Sequence, residues 1–433
     1  MKADPYAPTS GDAALHAQHY DLRLQYKVAT NRLDAEAVIQ LEALAPLSEI
    51  HLDLVGLSAS KVRLSGEKRT RFRQGARKLH IIPARTIAAG EHFEVSVRYS
   101  GRPQPRNSRW GRVGWEELAD GVLVGSQPVG APTWYPCNDR VGDRATYTVD
   151  LTCEDGYTVV APGVLTDRTT RSGTCRWTFV EEVPTATYLV AVHIGRYRSE
   201  ARRLAAVPGA VHYPAHRATA VHAELSQLGA MMALFERSFG PYPLQRYDVV
   251  VTDDALEIPL EGQGMAVFGS NHLDGSGALH RLVAHELAHQ WFGNSVGLVA
   301  WPDIWLNEGF ACYAEWLWSQ ESDSLSCQQQ AERHWELLAG LPQDLVLADP
   351  GPDDMFDDRV YKRGALTLHA LRTTIGDDAF FTVLHRWASD HRHGTATTAE
   401  FRQLAEQVHG ASLSPMLDAW LLQSELPQLP RTR

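Results

Sequence analysis

The chain has 433 residues, of which 44% are hydrophobic and 21% are charged, so it can bury a large core and is expected to form two or three domains. Its formal net charge of -11 comes from 41 basic and 52 acidic residues that are mixed along the chain, which disfavours nucleic acid or an anionic membrane as a partner. No apolar signal-peptide segment and no run of about 18 apolar residues is found, so neither secretion nor a membrane span is expected.

The first half of the chain has the pattern of β-structure. Short alternating runs rich in Val, Thr and Tyr, broken by Gly, Pro and Asp, follow one another from "HYDLRLQYKV" through "ATYTVDLTCEDGYTVVAPG" to "TATYLVAVHIGRYR". Such alternation is typical of antiparallel strands with one buried face. We therefore predict an N-terminal antiparallel β-domain over residues 1–205.

Helical periodicity takes over after residue 205. The segment "HAELSQLGAMMALFERSFG" predicts a helix that ends at a glycine, and "YDVVV" at 247–251 predicts one buried strand. Further helices are predicted over 279–294, 305–320, 361–375, 376–391 and 397–408. The predicted fold class is α+β, with a second domain over 206–433 that is mostly α and contains a small sheet.

The predicted helix at 279–294 contains two histidines at a spacing suited to a metal. His285 and His289 are four residues apart, so on a helix they project from one face and can bind one ion at the ~2.0 to 2.1 Å that zinc requires. Glu286 points about 100° away around the helix, where it can reach an activated water as a general base. An amphipathic helix that carries two histidines by chance is the alternative, so a third ligand is needed.

A third ligand is available in the next predicted helix. Glu308 lies 19 positions after His289 in an apolar and aromatic stretch, where a buried carboxylate needs a partner such as a zinc ion. Two histidines and one carboxylate leave a position for water, which is typical of a catalytic site. Glu315, two turns after Glu308, is a candidate acceptor for a ligand imidazole or else a solvated helix residue.

The two blocks "HELAHQWFGN" and "NEGFACYAEW", with eighteen residues between His289 and Glu308, resemble the aminopeptidase N family of zinc peptidases, which are gluzincins. The resemblance implies a thermolysin-like catalytic domain at 206–433 and one Zn²⁺ per chain held by His285, His289 and Glu308. It implies a metallo-aminopeptidase in which Glu286 is the general base, and hence a hydrolase that acts on peptides with a free N-terminus. The chain ends where the catalytic domain of this family closes, so a short two-domain form without the C-terminal helical domain is expected.

Three more site residues follow from the resemblance. "VYKRGALTLHAL" is similar to the family's V-Y-x-K-G-A segment and places Tyr361 as the donor to the developing oxyanion, although Lys362 and Arg363 stand where an acidic residue and a lysine are usual. In "EIPLEGQGMAVFGSN", alignment on Glu261 places this carboxylate at the anchor for the substrate amine, whereas alignment on Met265 leaves no anchor. In "GSQPVGAPTWYPCNDR", Gln127 corresponds to the glutamine that lines the first substrate subsite.

Other functions and properties stay open at the level of sequence. A peptide-processing enzyme with endopeptidase activity is the main alternative, because the anchor segment departs from the family's G-x-M-E-N. An epoxide hydrolase and a non-catalytic binding module are weaker ones. The five cysteines form no C-x-x-C pair, which predicts reduced thiols and a cytoplasmic protein. We also expect a monomer that binds no nucleic acid and no membrane.

Overall fold

The computed structural model describes residues 2–273, 275–277 and 279–430. Its first half consists of strands, which in chain order are β1 (Leu15–Lys27), β2 (Arg32–Ala43), β3 (Ile50–Asp53), β4 (Ser58–Leu64), β5 (Arg71–Gln74), β6 (Lys78–Ile82), β7 (His92–Gly101), β8 (Arg106–Ser108), β9 (Gly111–Leu118), β10 (Gly121–Gly125), β11 (Arg144–Glu154), β12 (Thr158–Val160), β13 (Val164–Arg171), β14 (Thr174–Ala186) and β15 (His193–Gly195).

These strands form three sheets. The largest has the order β13-β14-β11-β1-β2-β7-β4, the second has the order β12-β15-β10-β9-β8, and a small sheet has the order β3-β6-β5. The strand pairs are antiparallel except for β1 with β11, which run parallel. In β1, Leu22, Leu24 and Tyr26 are buried whereas Arg23 and Gln25 are exposed, so the sequence alternation corresponds to a core face and a solvent face.

The second half combines a five-stranded sheet and a small two-stranded sheet with helices. Its strands are β16 (Tyr197–Leu204), β17 (Val207–Pro214), β18 (Tyr247–Val251), β19 (Leu260–Gly262), β20 (Met265–Phe268), β21 (Gly297–Leu298) and β22 (Thr395–Ala396). Its helices are α1 (Ala218–Glu224), α2 (Leu228–Phe239), α3 (His280–Ala288), α4 (Trp305–Glu321), α5 (Cys327–Ala339), α6 (Asp358–Ile375), α7 (Asp377–Asp390), α8 (Thr398–His409) and α9 (Ser414–Leu422). The predicted α+β class is confirmed.

The sheet of the second half has the order β16-β17-β18-β20-β19, with parallel pairs β17/β18 and β18/β20, and β19 lies at its edge. The expected boundary at residue 205 falls in the turn between β16 and β17, which pair with each other. The predicted strand at 247–251 is β18, and all five of its residues are buried. The division of the chain at residue 205 stays a prediction.

The structure corrects two of the predicted helices and adds others. The helix predicted at 279–294 ends at Ala288, and the chain then turns back through Gly293, whose φ of 116° is in a region that glycine tolerates best. The helix predicted after His222 is divided into α1 and α2. Helices α5 and α9 were not predicted, although Ser326 and Gln329 form a capping box at the start of α5.

The described helices include none that is both long and apolar enough to cross a membrane. All five cysteines lie in the described part of the chain and are buried free thiols.

Candidate functional site

The three expected metal ligands meet between α3 and α4. His285 is in the last turn of α3, His289 directly follows that helix, and Glu308 is in the first turn of α4. All three side chains are buried, and Nε2 of each histidine lies 3.5 Å from Oε2 of Glu308. The end of α3 and the start of α4 thus bring three ligand atoms to one point.

The arrangement fits a tetrahedral ion. Donors bound at ~2.0 to 2.1 Å in tetrahedral geometry are about 3.4 Å apart, which matches the two observed separations. His289 Nδ1 lies 3.1 Å from the carbonyl oxygen of Phe292, and His285 Nδ1 lies 2.8 Å from Oε1 of Glu315. Because a carbonyl and a carboxylate only accept, each Nδ1 carries a proton, and each Nε2 is the nitrogen left to face Glu308 and to bind a metal.

The charged groups of this cluster shift one another's pKa values. Burial by itself lowers the pKa of His285, but its hydrogen bonds with Glu308 and Glu315 raise that pKa to about 10. Burial raises the pKa of Glu308, but the charge of His289 and the histidine hydrogen bonds lower it to about 2. The carboxylates of Glu261, Glu286, Glu308 and Glu315 therefore surround two imidazoles. A divalent cation would balance this excess of negative charge.

Glu286, the expected general base, lies buried beside the ligand cluster. The residue is 4% exposed, and its Oε2 has no hydrogen-bond partner among the described residues. Burial raises the pKa of Glu286 to about 7, against the lowering effect of His285 and His289 and together with the raising effect of Glu261. A carboxylate with a pKa near neutral can both take up and release a proton at physiological pH.

A close helix crossing brings Tyr361 to the same place. A Cβ on Gly309 of α4 would lie 2.7 Å from Cα of Gly364 in α6, so only glycine at both positions allows the two backbones to come this near. As a result the ring of Tyr361, one turn before Gly364, stacks on His285 with ring centroids 6.0 Å apart. Burial and the charge of Glu308 raise the pKa of Tyr361 well above its usual value, so its hydroxyl stays a donor.

Glu261 and Gln127 come together from the two halves of the chain. Gln127 Nε2 donates to Glu261 Oε1 at 2.8 Å, and carboxylate oxygens of Glu261 and Glu286 lie within 4.8 Å of each other and of a ring nitrogen of His289. Glu261 is on the edge strand β19, whereas Ala266, the residue that alignment on Met265 selects, is fully buried opposite it in β20.

Two polar residues that were not predicted join the turn after α3 to the hairpin of β19 and β20. Gln290 Nε2 donates to the carbonyl oxygen of Met265 at 3.1 Å, and its Oε1 accepts from the amide of Gly264 at 3.0 Å. Asn294 Nδ2 donates to the carbonyl oxygen of Gly262 at 2.7 Å. Both lie within the "HELAHQWFGN" block, and a side-chain amide one residue and another five residues after the second histidine were the available signal.

The unusual pair Lys362 and Arg363 has two different environments. Arg363 is 4% exposed. Its guanidinium donates to carbonyl oxygens of helix α9, of the C-terminal segment after α9 and of one residue before α6, namely Ala419, Trp420, Gln423, Ser424, Glu425 and Leu345. Lys362 lies 3.2 Å from Asp358 and lines a cavity of about 1080 Å³ that Glu315 and Trp316 also line. Arg363 thus anchors the C-terminal segment, and Lys362 borders the cavity while it pairs with Asp358.

Both halves of the chain match models of one protein family. Residues 16–189 match the peptidase M1 N-terminal domain, and residues 223–420 match the peptidase family M1 domain.

The structure is similar to solved structures from Deinococcus radiodurans. An M1 zinc metallopeptidase of that organism is 31% identical, with a TM-score of 0.90 and 99% of each chain covered. A mutant of it with the substrate Tyr-Ser-Ala bound is also 31% identical, with a TM-score of 0.89 and 98% of each chain covered.

Curated relatives are longer than this chain. Aminopeptidase A of Gloydius brevicauda is 30% identical over 328 residues, which are 70% of this chain and 34% of that protein. Leucyl aminopeptidase of Saccharolobus solfataricus is 23% identical over 458 residues, with 96% of this chain and 54% of that protein covered. The chain thus spans about a third to a half of the length of these relatives.

Proposed function

Because the chain belongs to the M1 zinc metallopeptidase family, we propose that it is a zinc aminopeptidase that hydrolyses the first peptide bond of peptides with a free N-terminus. The observation that carries the proposal is the position of Glu261 beside the ligand cluster, with Gln127 donating to it at 2.8 Å. A carboxylate whose oxygen lies within 4.8 Å of His289 and Glu286 is near enough to pair with the ammonium of the first residue of a substrate.

Glu261 and Gln127 are the proposed amine anchor. The carboxylate of Glu261 pairs with the α-ammonium of the substrate, and the amide oxygen of Gln127 is free to accept a second hydrogen bond from it. Fixing the ammonium fixes the register of the peptide, so the first carbonyl is presented to the cluster of His285, His289 and Glu308.

The bound zinc would supply Lewis acidity toward that carbonyl and toward the attacking water. Glu286 takes the proton of this water, which its burial beside the cluster and its free Oε2 support. Tyr361 donates its hydroxyl hydrogen to the oxyanion that forms as the carbonyl is attacked. Glu286 then returns the proton to the leaving amine, so no acyl-enzyme is formed.

Free and N-acetylated aminoacyl amides test the anchor. The wild-type protein should cleave the free amides and leave the acetylated ones nearly intact, and Glu261→Gln should raise KM for the free amides because the ion pair is lost. Glu257→Gln, which changes an exposed glutamate in the segment just before β19, is the matched control and should behave like the wild type. Equal cleavage of free and acetylated substrates would reject the amine anchor in favour of an endopeptidase.

We further propose a cytoplasmic monomer of two domains that divide near residue 205, with peptides as partners and no bound nucleic acid or membrane. The net charge of -11 and the buried free thiols support this. Light scattering should give the mass of a single chain, and a stable dimer would contradict it.

A further inference from the structure

A second group of metal-binding side chains lies on the outer face of the small sheet β3-β6-β5. His51 of β3 and His80 of β6 are directly opposite each other in an antiparallel pair, and their rings make an edge contact with centroids 5.0 Å apart. The residues on either side of them in the two strands face the core and are buried, namely Ile50, Leu52, Leu79 and Ile81. The alternation of the strands therefore fixes both imidazoles on the solvent side.

The carboxylate of Glu49, the residue before β3, lies between the two imidazoles. Its Oε2 is 3.3 Å from His51 Nε2, and its Oε1 is 3.1 Å from His80 Nδ1. One oxygen of Glu49 and one nitrogen of each histidine all lie within 4.8 Å of one another. Donors that share a tetrahedral ion at ~2.0 to 2.2 Å are about 3.4 Å apart, so a small rotation of each side chain closes the site.

Asp12 orients one of these imidazoles. Its Oδ2 lies 3.0 Å from His51 Nδ1, so this carboxylate accepts the Nδ1 proton and leaves His51 Nε2 to face Glu49. A carboxylate behind a histidine in this way is the usual support of a metal-binding imidazole. The side chains of Glu49, His51 and His80 are 20% to 35% exposed, so the cluster borders solvent, although His80 Nδ1 itself is buried and has no hydrogen-bond partner among the described residues.

We propose that Glu49, His51 and His80 form a second metal site, which takes a divalent transition ion such as zinc and leaves its fourth position to water. Asp12 acts as a positioning residue through His51. Two nitrogen ligands and one oxygen ligand favour zinc, nickel or copper over magnesium and calcium, which prefer all-oxygen sites.

Arg73 competes for the site. It is directly opposite His80 in β5, and its guanidinium lies 3.0 Å from Oε1 of Glu49. This side chain is 61% exposed, so its ion pair with Glu49 is weak and an ion can displace it. Removing the guanidinium should therefore strengthen metal binding, which a merely structural ion cluster does not predict.

Zinc binding by the intact protein tests the proposal. After equilibrium dialysis against low-micromolar zinc, the wild type should hold two ions per chain, and His51→Ala or His80→Ala should hold one while retaining peptidase activity. Asp12→Asn should weaken the second ion by about 10- to 100-fold. Arg73→Gln should bind it at least a few-fold more tightly, and His92→Ala, which removes an exposed histidine from strand β7, should still hold two.

The stoichiometry separates this site from the proposed catalytic one. His289→Ala should lose the ion of the α3/α4 cluster and keep the ion at Glu49, whereas His80→Ala should do the reverse. A single ion in the wild type, or a second ion that persists in His51→Ala and His80→Ala, would overturn the proposal. Unchanged zinc affinity in Arg73→Gln would also count against Glu49 as a ligand.

Discussion

Replacing Glu315 should weaken zinc binding without removing any ligand. Glu315 Oε1 accepts from His285 Nδ1 at 2.8 Å, and both residues are buried. A hydrogen bond to a charged group contributes about 1.5 to 3 kcal/mol, which corresponds to roughly 10- to 150-fold in a dissociation constant. Glu315→Ala should therefore raise the dissociation constant for zinc by about 10- to 100-fold.

A glutamine at the same position should have a smaller effect. Glu315→Gln keeps an oxygen that can accept from His285 Nδ1 but removes the charge, so we expect a loss of zinc affinity near the lower end of that range. Glu321→Gln is the matched control, because Glu321 is on the same helix and its side chain is 48% exposed in an ion pair with Arg237.

Competition with a chromogenic chelator measures these affinities, and kcat at saturating zinc measures what remains of catalysis. The expected order of zinc affinity is wild type and Glu321→Gln first, then Glu315→Gln, then Glu315→Ala. If all four proteins bind zinc within threefold of one another, Glu315 does not support His285. A loss of kcat at full zinc occupancy with unchanged affinity would instead assign Glu315 to the catalytic step.

Three further predictions concern the general base, the C-terminal anchor and a buried histidine. Glu286→Gln should keep the zinc content of the wild type by metal analysis but lose about 100- to 10,000-fold in kcat, and near-native turnover would remove its assignment as general base. Arg363→Met should lower the free energy of unfolding in urea by about 3 kcal/mol or more, because several buried carbonyl oxygens lose their donor, and a loss below 1 kcal/mol would contradict the anchoring role. Burial lowers the pKa of His193 to about 3, so folding favours the neutral ring and its contribution to stability is lost as the pH falls from about 6.5 toward 3. Between pH 7 and pH 5 this loss should be about 2 kcal/mol in the wild type and absent in His193→Leu, as measured by denaturation at each pH.

The ligand cluster could be predicted because its residue types and their spacing along the chain are local features of the sequence. His285 and His289 are one helical turn apart, and the carboxylate of Glu308 is in an apolar stretch. Burying that carboxylate without a positively charged partner would cost free energy. The family resemblance stated from these blocks is confirmed by the matches to both M1 domains. The roles of the individual residues stay predictions that the variants above test.

The contacts between helices and strands could not be predicted from the periodicity of the sequence. Nothing in the pattern of the sequence indicates that Gly309 and Gly364 meet, yet this crossing decides how near Tyr361 comes to His285. The hydrogen bond from Gln127 to Glu261 joins positions 134 residues apart, and only the fold can bring them together. The length of α3 was predicted wrongly for a related reason, because periodicity does not indicate that the chain turns after Ala288. In this turn the carbonyl oxygen of Phe292 accepts from His289 Nδ1.

The departure from the family at Lys362 and Arg363 shows how one exchange can separate two roles. A lysine at position 363 would offer a single ammonium, whereas the planar guanidinium of Arg363 reaches carbonyl oxygens on both sides of the C-terminal segment. Lys362 then places a positive charge beside Asp358 and the open cavity, where the family usually has an acidic residue. This cavity reaches Glu315, which lies on the Nδ1 side of His285, and its lining includes none of the residues proposed to bind substrate. Lys362→Glu should therefore change kcat/KM equally for peptides with acidic and with neutral residues after the first bond, and a loss confined to the acidic peptides would place Lys362 on the substrate path.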